Sequence, residues 1–496
     1  MLPELCRQLF DCVSFVSFHA LTGEADMPKN ILIFSDGTGQ AGGLRPDEKR
    51  SNIYKLYRAT RCGPDTAIDP HEQLAFYDAG LGSRPPGGAL FVTRAYRWLH
   101  NLASRATGLG ITTNIIDCYA AIMRMWEPGD RIFLFGFSRG AYTVRCLAAV
   151  LGQCGVPTTM DDGTPLRRDV GTTTGIAREA VKKVYQHVSS PKDADYLPQR
   201  EALAKRFRQT YRSDTADASN VVPFFVGVFD TVASLGSYAL SAALVGASAV
   251  LIAALSYLQS FFLFPFATTL LWTAAVAVAM GGVAYVATHV KYAVGLPGYS
   301  CWQTLHLASP KMRFYDLNLN NAIWYARHAM SIDENRADFA RVPWGGSHNE
   351  GPQRPDEYPD WLQQVWFAGN HSDIGGSYPE NEARLSDITL GWMVHAARNL
   401  PDDKTPDGFG IKVDDRYMTL HPDPLGPQHD EREPGYLSGR FKWTEGLRQV
   451  QDEAILHSSV LARFSAPEGV QHFYQRAAYR PPNLSRHQKV KQYYTQ

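Results

Sequence analysis

The chain has 496 residues, 45% of them hydrophobic and 20% charged, a balance that supports a globular protein with a sizeable core and excludes a disordered one. Lys plus Arg equals Asp plus Glu at 49 each, so the bulk charge gives no case for nucleic acid and no such partner is expected. Seven cysteines without a C-x-x-C pair argue against a disulfide framework or a zinc site, and neither metal nor cofactor is expected.

Residues 1–28 carry Glu4 and Asp11 among their apolar side chains, which is not the pattern of a signal peptide, and read as an N-terminal extension. The first clear strand, 30–34, is a short apolar run that ends in Ser35-Asp36-Gly37-Thr38-Gly39. A second strand is expected at 74–77, a helix at 112–126 and a third strand at 132–135. That strand leads into Gly136-Phe137-Ser138-Arg139-Gly140 and then a helical run from Ala141 to Leu151. Strand, sharp turn and helix with a serine at the tip is a nucleophile elbow, in which Gly136 and Gly140 are needed because a side chain there meets the strained turn or the next helix.

A fourth strand, 222–229, ends in Asp230-Thr231-Val232. From Thr231 to Val290 there is then no Asp, Glu, Lys or Arg at all, and two apolar stretches, 238–257 and 266–287, are each close to the length that spans a bilayer. The short joint around Pro265 makes them antiparallel, and small residues such as Gly246, Ser248, Ala277, Gly281 and Gly282 are expected to let them pack closely. Residues 236–290 therefore read as an inserted hydrophobic helical hairpin with two transmembrane segments and the bilayer as partner. The flanking Arg206, Arg208, Arg212 and Lys291 weakly favour a cytoplasmic catalytic domain. His328 falls on a segment read as helical and is assigned to packing or to support of the site residues. A fifth strand, 365–368, ends in Gly369-Asn370-His371-Ser372-Asp373-Ile374-Gly375-Gly376. Residues 401–496 are rich in proline and read as a loop-rich cover with a final helix at 444–464.

Strands alternating with helices predict an α/β fold, a mostly parallel sheet with helices on both faces, spanning 29–400. A serine hydroxyl is a poor nucleophile until a base takes its proton and an acid orients that base. Ser138, Asp230 and His371 each follow a strand and come in the order nucleophile, acid, base, so they are the candidate catalytic set. Asp373, two residues from His371, is the rival acid; the preferred reading has it orienting the loop. Gly37, Thr38 and Arg139 are candidate oxyanion-hole donors through their amides, with Asp36 in support. A phosphatase built on D-x-D-G-T is excluded because its nucleophile position is Phe34, and no Walker loop is present.

Ile33-Phe34-Ser35-Asp36-Gly37-Thr38, Gly136 to Tyr142, Gly227 to Val232, Arg327-His328-Ala329-Met330-Ser331-Ile332-Asp333-Glu334-Asn335-Arg336, the run from Val365 to Gly376, Leu385-Ser386-Asp387 and Trp392-Met393 occur in that order. On these motifs, which cover about 30–397, the chain resembles the class-1 type VI secretion lipase effector family of α/β-hydrolase-like proteins. The resemblance implies a phospholipase of A-type specificity with Ser138, Asp230 and His371 as its triad, a glycerophospholipid substrate, and delivery as a secreted effector. The hydrophobic hairpin, in place of a large C-terminal membrane module, departs from the family's effector members. An esterase acting on another acyl substrate, or a non-catalytic membrane protein keeping the hydrolase shell, are the competing expectations.

Overall fold

The computed structural model describes residues 28–37, 40, 49–80, 109–232, 238–262, 264–308, 318–345, 360–400, 409–432, 443–472 and 475–494, so nearly all of the expected N-terminal extension lies outside them. Its centre is a sheet of β1 (Asn30–Ser35), β2 (Gln73–Asp78), β3 (Arg131–Phe137), β4 (Phe225–Phe229), β5 (Tyr325–Ser331) and β6 (Leu362–Phe367). The order across the sheet is β2-β1-β3-β4-β5-β6, and every neighbouring pair is parallel. The helices used below are α1 (Asn52–Thr60), α2 (Leu109–Met125), α3 (Arg139–Cys154), α4 (Val170–Glu179), α5 (Leu197–Tyr211), α6 (Tyr238–Ser260), α7 (Phe266–His289), α8 (His371–Gly375), α9 (Arg384–Arg398) and α10 (Ser458–Phe464).

The inner strands are apolar along their length because both faces are covered. Ile31, Ile33, Ile132, Leu134, Val226 and Val228 face one way and pack with α2, α3, α4 and α5. Leu32, Phe34, Phe133, Phe135, Phe225 and Phe229 face the other way and pack with α1 and α9. The chain runs from β1 outward to β2 and then back across to β3, so the crossovers diverge between β1 and β3. In an open parallel sheet the carboxyl side of that point is where ligands bind. Both the loop after β1 and Ser138 after β3 are at this edge.

Several sequence expectations change. His328 is on β5 rather than a helix; a fully buried central strand is an unbroken apolar-to-neutral run, and Tyr325–Ser331 (YARHAMS) hides that by carrying Arg327 and His328. The helix expected at 444–464 is confined to α10. The residues before it run along the open edge of β6, where the Trp366 amide donates to the Ile455 carbonyl at 2.9 Å and the His457 amide to the Trp366 carbonyl at 2.9 Å. An edge strand offers unpaired backbone groups, and filling them outweighed helix formation. The C-terminal residues thereby become part of a third apolar cluster, with Leu456, Val460 and Phe464 against Met330, Ile332 and Trp366.

The hairpin forms as two antiparallel helices, α6 and α7, most of whose described side chains are exposed. Among the described residues one helix, Phe266–Ala287, is long and apolar enough to cross a membrane, while the described apolar part of its partner, Val245–Ser260, falls short of a span. Two transmembrane segments are therefore not supported. Gly246, Gly281 and Gly282 look onto open space rather than lining the seam between the helices. The contact is made instead at Ser256 and Thr269, both buried, where the Thr269 hydroxyl donates to the Ser256 carbonyl at 2.9 Å.

Glycine at 140 is set by the approach of α3 to β1: a Cβ there would lie 1.9 Å from the Ser35 carbonyl oxygen. Gly140→Ala is expected to destabilise the fold by about 3 kcal/mol, the upper part of the overpacking range. Gly175→Ala, in α4 with nothing within 4 Å of the new methyl, is expected to stabilise by about 0.5–1 kcal/mol. Urea denaturation of the two variants checks the contrast.

Candidate active site

Ser138 caps α3 with φ 58° and ψ −118°, a conformation that side-chain-bearing residues seldom adopt. Two contacts hold it there. The Ser138 amide donates to the Phe229 carbonyl at 3.1 Å, tying the end of β3 to the end of β4, and Phe137 pairs in register with Phe229. A Cβ on Gly136 would lie 2.5 Å from the Gly140 carbonyl oxygen, so the first turn of α3 folds back over a position that only glycine can occupy.

Asp230 follows Phe229 directly, is fully buried and has φ 36°. Each of its oxygens accepts two hydrogen bonds. Oδ1 takes the Ser331 amide at 3.1 Å and Arg448 Nη1 at 3.2 Å; Oδ2 takes His371 Nδ1 at 2.6 Å and Arg448 Nη2 at 3.0 Å. Burial pushes this carboxyl upward, but the Arg448 charge and the His371 hydrogen bond outweigh it and hold the group well below the usual carboxylate range. With Nδ1–H given to Asp230, the His371 ring presents a lone pair at Nε2, and Nε2 is buried with no hydrogen-bond partner among the described residues. The Phe137 ring, one residue from Ser138, lies 4.7 Å from the His371 ring between centroids. Thus Ser138, Asp230 and His371 converge on the carboxyl edge of β3, β4 and β6.

The His371 loop is clasped by the last residue of β5 and by residues just after it. The Ser331 hydroxyl donates to the Gly369 carbonyl at 2.7 Å, Asp333 accepts the Gly369 amide at 2.6 Å, and Glu334 accepts the His371 amide at 3.2 Å. Glu334 is in turn paired with Arg336 at 2.7 Å, and the Arg336 guanidinium stacks on Phe339, whose ring lies 5.3 Å from that of His371. Asp373 turns away from His371. Its Oδ2 accepts the amides of Asn370 and His429, both at 3.0 Å, and its Oδ1 faces His429 Nδ1 at 2.8 Å. That makes it the N-terminal lock of α8, in a reciprocal capping arrangement with Asn370.

On the opposite rim, a Cβ built on Gly37 would lie 3.6 Å from Ser138 Cβ, so the loop after β1 reaches Ser138. The Gly37 amide donates to Asp36 Oδ1 at 2.6 Å, while Asp36 Oδ2 accepts from Ser51 and from Tyr77 at 2.5 and 2.6 Å. Arg139 supplies the first amide of α3. Thr38 lies outside the described residues. Among the described residues no cluster of His, Cys, Asp and Glu fits a metal ion.

Residues 29–270 and 286–396, well over half of the chain, match the family described as T6SS, phospholipase effector Tle1-like, catalytic domain. The chain belongs to this family. It is 31% identical over 210 residues to the uncharacterized protein YEL023C of Saccharomyces cerevisiae (strain ATCC 204508 / S288c), a match that takes in 42% of this chain and 27% of the yeast protein. An uncharacterized protein from Pseudomonas aeruginosa of known crystal structure is 14% identical with a TM-score of 0.34, over 85% of this chain and 51% of that one. The Tle1 effector, solved bound to the VgrG spike of the type 6 secretion system, is 16% identical with a TM-score of 0.27, over 72% of this chain and 53% of that one. The chain thus spans about a quarter of the yeast relative's length and about half of each solved chain.

Arg448 is outside the family match and was missed by the sequence reading, as were Glu334 and Arg336 as supports of the His371 loop. Nothing around Arg448 marks it, since it sits in a loop with no motif; Glu334 and Arg336 were within a stretch singled out only as a family motif. Removing one side of a buried ion pair costs about 3–5 kcal/mol, so Arg448→Met is expected to destabilise by about that much and Asp230→Asn/Arg448→Met by clearly less than the two singles together. The Asp230 carboxylate also sets an acid dependence. Its unfolded form takes up a proton near the ordinary 3.8 and its folded form only at lower pH, so the unfolded state binds more protons in that window. Its contribution is complete above the window and lost as pH falls through it. Melting temperatures measured from about pH 5 down to about pH 2 should fall more steeply for the wild type than for Asp230→Asn.

Proposed function

We propose that this chain is a serine-dependent lipolytic hydrolase, a membrane-docked phospholipase of A type that cleaves acyl esters of glycerophospholipids through Ser138, His371 and Asp230. The observation that carries the reading is the Asp230–His371 hydrogen bond of 2.6 Å, which leaves a buried Nε2, without a partner among the described residues, beside a serine elbow. The lipid substrate rests on family membership.

In this mechanism His371 Nε2 takes the proton of the Ser138 hydroxyl as Oγ attacks the acyl carbonyl carbon. Asp230 fixes the tautomer and faces the imidazolium as it forms, without itself taking the proton. The carbonyl oxygen becomes an oxyanion at the start of α3, where the Arg139 amide and the helix dipole favour negative charge. The Gly37 amide reaches that oxyanion only by exchanging Asp36 Oδ1 for it, so the loop after β1 contributes through its later amides or by that exchange. Imidazolium then protonates the departing alcohol of the lysophospholipid. Water, deprotonated by the same Nε2, releases the fatty acid and restores Ser138.

Two measurements test the proposal. Ser138→Ala should lose labelling by a fluorophosphonate and lose at least about a thousandfold in hydrolysis of phosphatidylcholine vesicles, with the melting temperature kept; retained hydrolysis would exclude it. Deletion of residues 238–287 should abolish activity on vesicles and spare a soluble short-chain ester. Equal loss on both substrates would show a folding role for the hairpin instead of docking.

A further inference from the structure

The two ends of the hairpin are chemically unlike. At the tip, Tyr257, Leu258, Phe261, Phe262, Phe264 and Phe266 are exposed, Phe262 at 86%. No Asp, Glu, Lys or Arg lies near them. A hairpin that crosses a bilayer must hold its turn at the far water interface, where charged residues and Trp or Tyr are favoured. This turn instead exposes a Leu and four Phe beside Tyr257, with no charged residue.

Several of its polar groups bond internally. The Ser256 hydroxyl donates to the Ile252 carbonyl and the Ser260 hydroxyl to the Tyr257 carbonyl, both at 2.7 Å. The Thr269 hydroxyl donates to the Ser256 carbonyl and the Thr273 hydroxyl to Gln259 Oε1, both at 2.9 Å. In the turn itself the Phe261 and Phe262 amides bond back to Leu258 and Gln259 at 3.3 and 3.1 Å. Internal satisfaction of this kind is what hydrocarbon demands and water does not.

The root carries the opposite signature. After α7, Val290–Lys291 pairs antiparallel with His306–Leu307, and a single helical turn, Cys301–Thr304, lies between them. Around it Tyr292 and Trp302 are exposed, at 66% and 79%, together with Val294 and Leu307. Arg206 donates to the Val294 carbonyl at 2.8 Å, and Lys182 is near enough to Lys291 to repel it. Aromatic rings with polar edges beside Lys and Arg match the headgroup layer of an anionic membrane.

We infer that α6 and α7 form a one-sided membrane wedge: the Phe-rich tip ends inside the hydrocarbon, and the collar of Tyr292, Trp302, Lys291 and Arg206 rests at the headgroups of the same leaflet. The hairpin does not cross. α7, at 24 residues, is roughly 36 Å long against a hydrocarbon core of about 30 Å, so the wedge must enter tilted to keep its tip inside. This deepens the docking reading and is independent of the hydrolytic one.

The test reads position rather than activity. Full-length Phe262→Cys, in a background where Cys301, the exposed thiol among the described residues, and Cys6, Cys12 and Cys62 are all replaced by Ser, is bound to vesicles of phosphatidylcholine and phosphatidylglycerol. A membrane-impermeant maleimide is supplied either outside or enclosed in the lumen. The expected result is flotation with the vesicles and at least a tenfold loss of labelling from both sides relative to lipid-free protein. Labelling by the lumenal reagent would show a crossing hairpin and overturn the inference while leaving docking intact. Failure to float, or external labelling as fast as without lipid, would overturn the inference and docking together. Trp302→Ser with Lys291→Glu should weaken flotation at least tenfold on anionic vesicles and leave soluble-ester hydrolysis unchanged; unchanged flotation would remove the collar from the proposal.

Discussion

A fully buried carboxylate, Asp230, is the constraint around which the site is arranged. Taking one charge out of water costs several kcal/mol unless it is paired and its lone pairs are filled. Here both conditions are met by groups from three distant segments: the Ser331 amide at the end of β5, the His371 ring after β6, and the Arg448 guanidinium from the C-terminal residues. None of these donors reaches Asp230 until the strands are in order and the C-terminal segment has folded along the β6 edge. The expected loose cover is therefore part of the electrostatics of the site. Arg448 keeps Asp230 charged, and a charged Asp230 gives the His371 ring its orientation.

A second constraint is steric and lies at the elbow. Gly136 and Gly140 flank Ser138 for different reasons: the first lies beneath the returning turn of α3, and the second lets α3 approach the Ser35 carbonyl. Gly375 belongs to the same packing, since a Cβ there would lie 1.9 Å from the Phe137 ring. The loop that carries His371 and the turn that carries Ser138 thus meet through an aromatic ring and a missing side chain. Close approach there brings His371 and Ser138 to one rim.

The parts of this arrangement that were legible in the sequence are those written in local pattern. The apolar runs of β1, β3 and β4, the elbow glycines and the residues just past strand ends can each be read from neighbours in the chain, because strand and turn preferences act over a few residues. β5 was misread because Arg327 and His328 interrupt its apolar run; their burial is tolerated only through tertiary partners, such as the Asp360 carbonyl that accepts Arg327 Nη1 at 2.8 Å. The length of α10 was overestimated because the competing edge of β6 is about ninety residues away along the chain, at a distance that no local propensity encodes. Arg448 was invisible for the same reason. The hairpin was located from its missing charges, but small residues did not reveal its seam: the glycines face outward and the contact is polar.

The hairpin leaves the fold soon after Asp230, so any load on it acts on that strand end. Thr231 and Val232 are fastened before α6 begins. The Val342 amide donates to the Thr231 carbonyl at 3.0 Å, and Val232 forms an antiparallel bridge with Arg341. The Val342 and Pro343 carbonyls in turn accept Arg145 from α3, each at 2.9 Å. His328 completes the fastening, because its Nε2 accepts the Thr231 amide at 3.3 Å. Only a neutral ring can accept there, and burial, reinforced by the charges of Arg145 and Arg341, holds this histidine far below the usual range and so keeps it neutral. The strand end before α6 is thereby tied to β5 through His328 and to α3 through Arg145, beside the Asp230 carboxylate and its four hydrogen bonds. The chain that leaves Asp230 for α6 is thus anchored to two elements of the core before the hairpin begins.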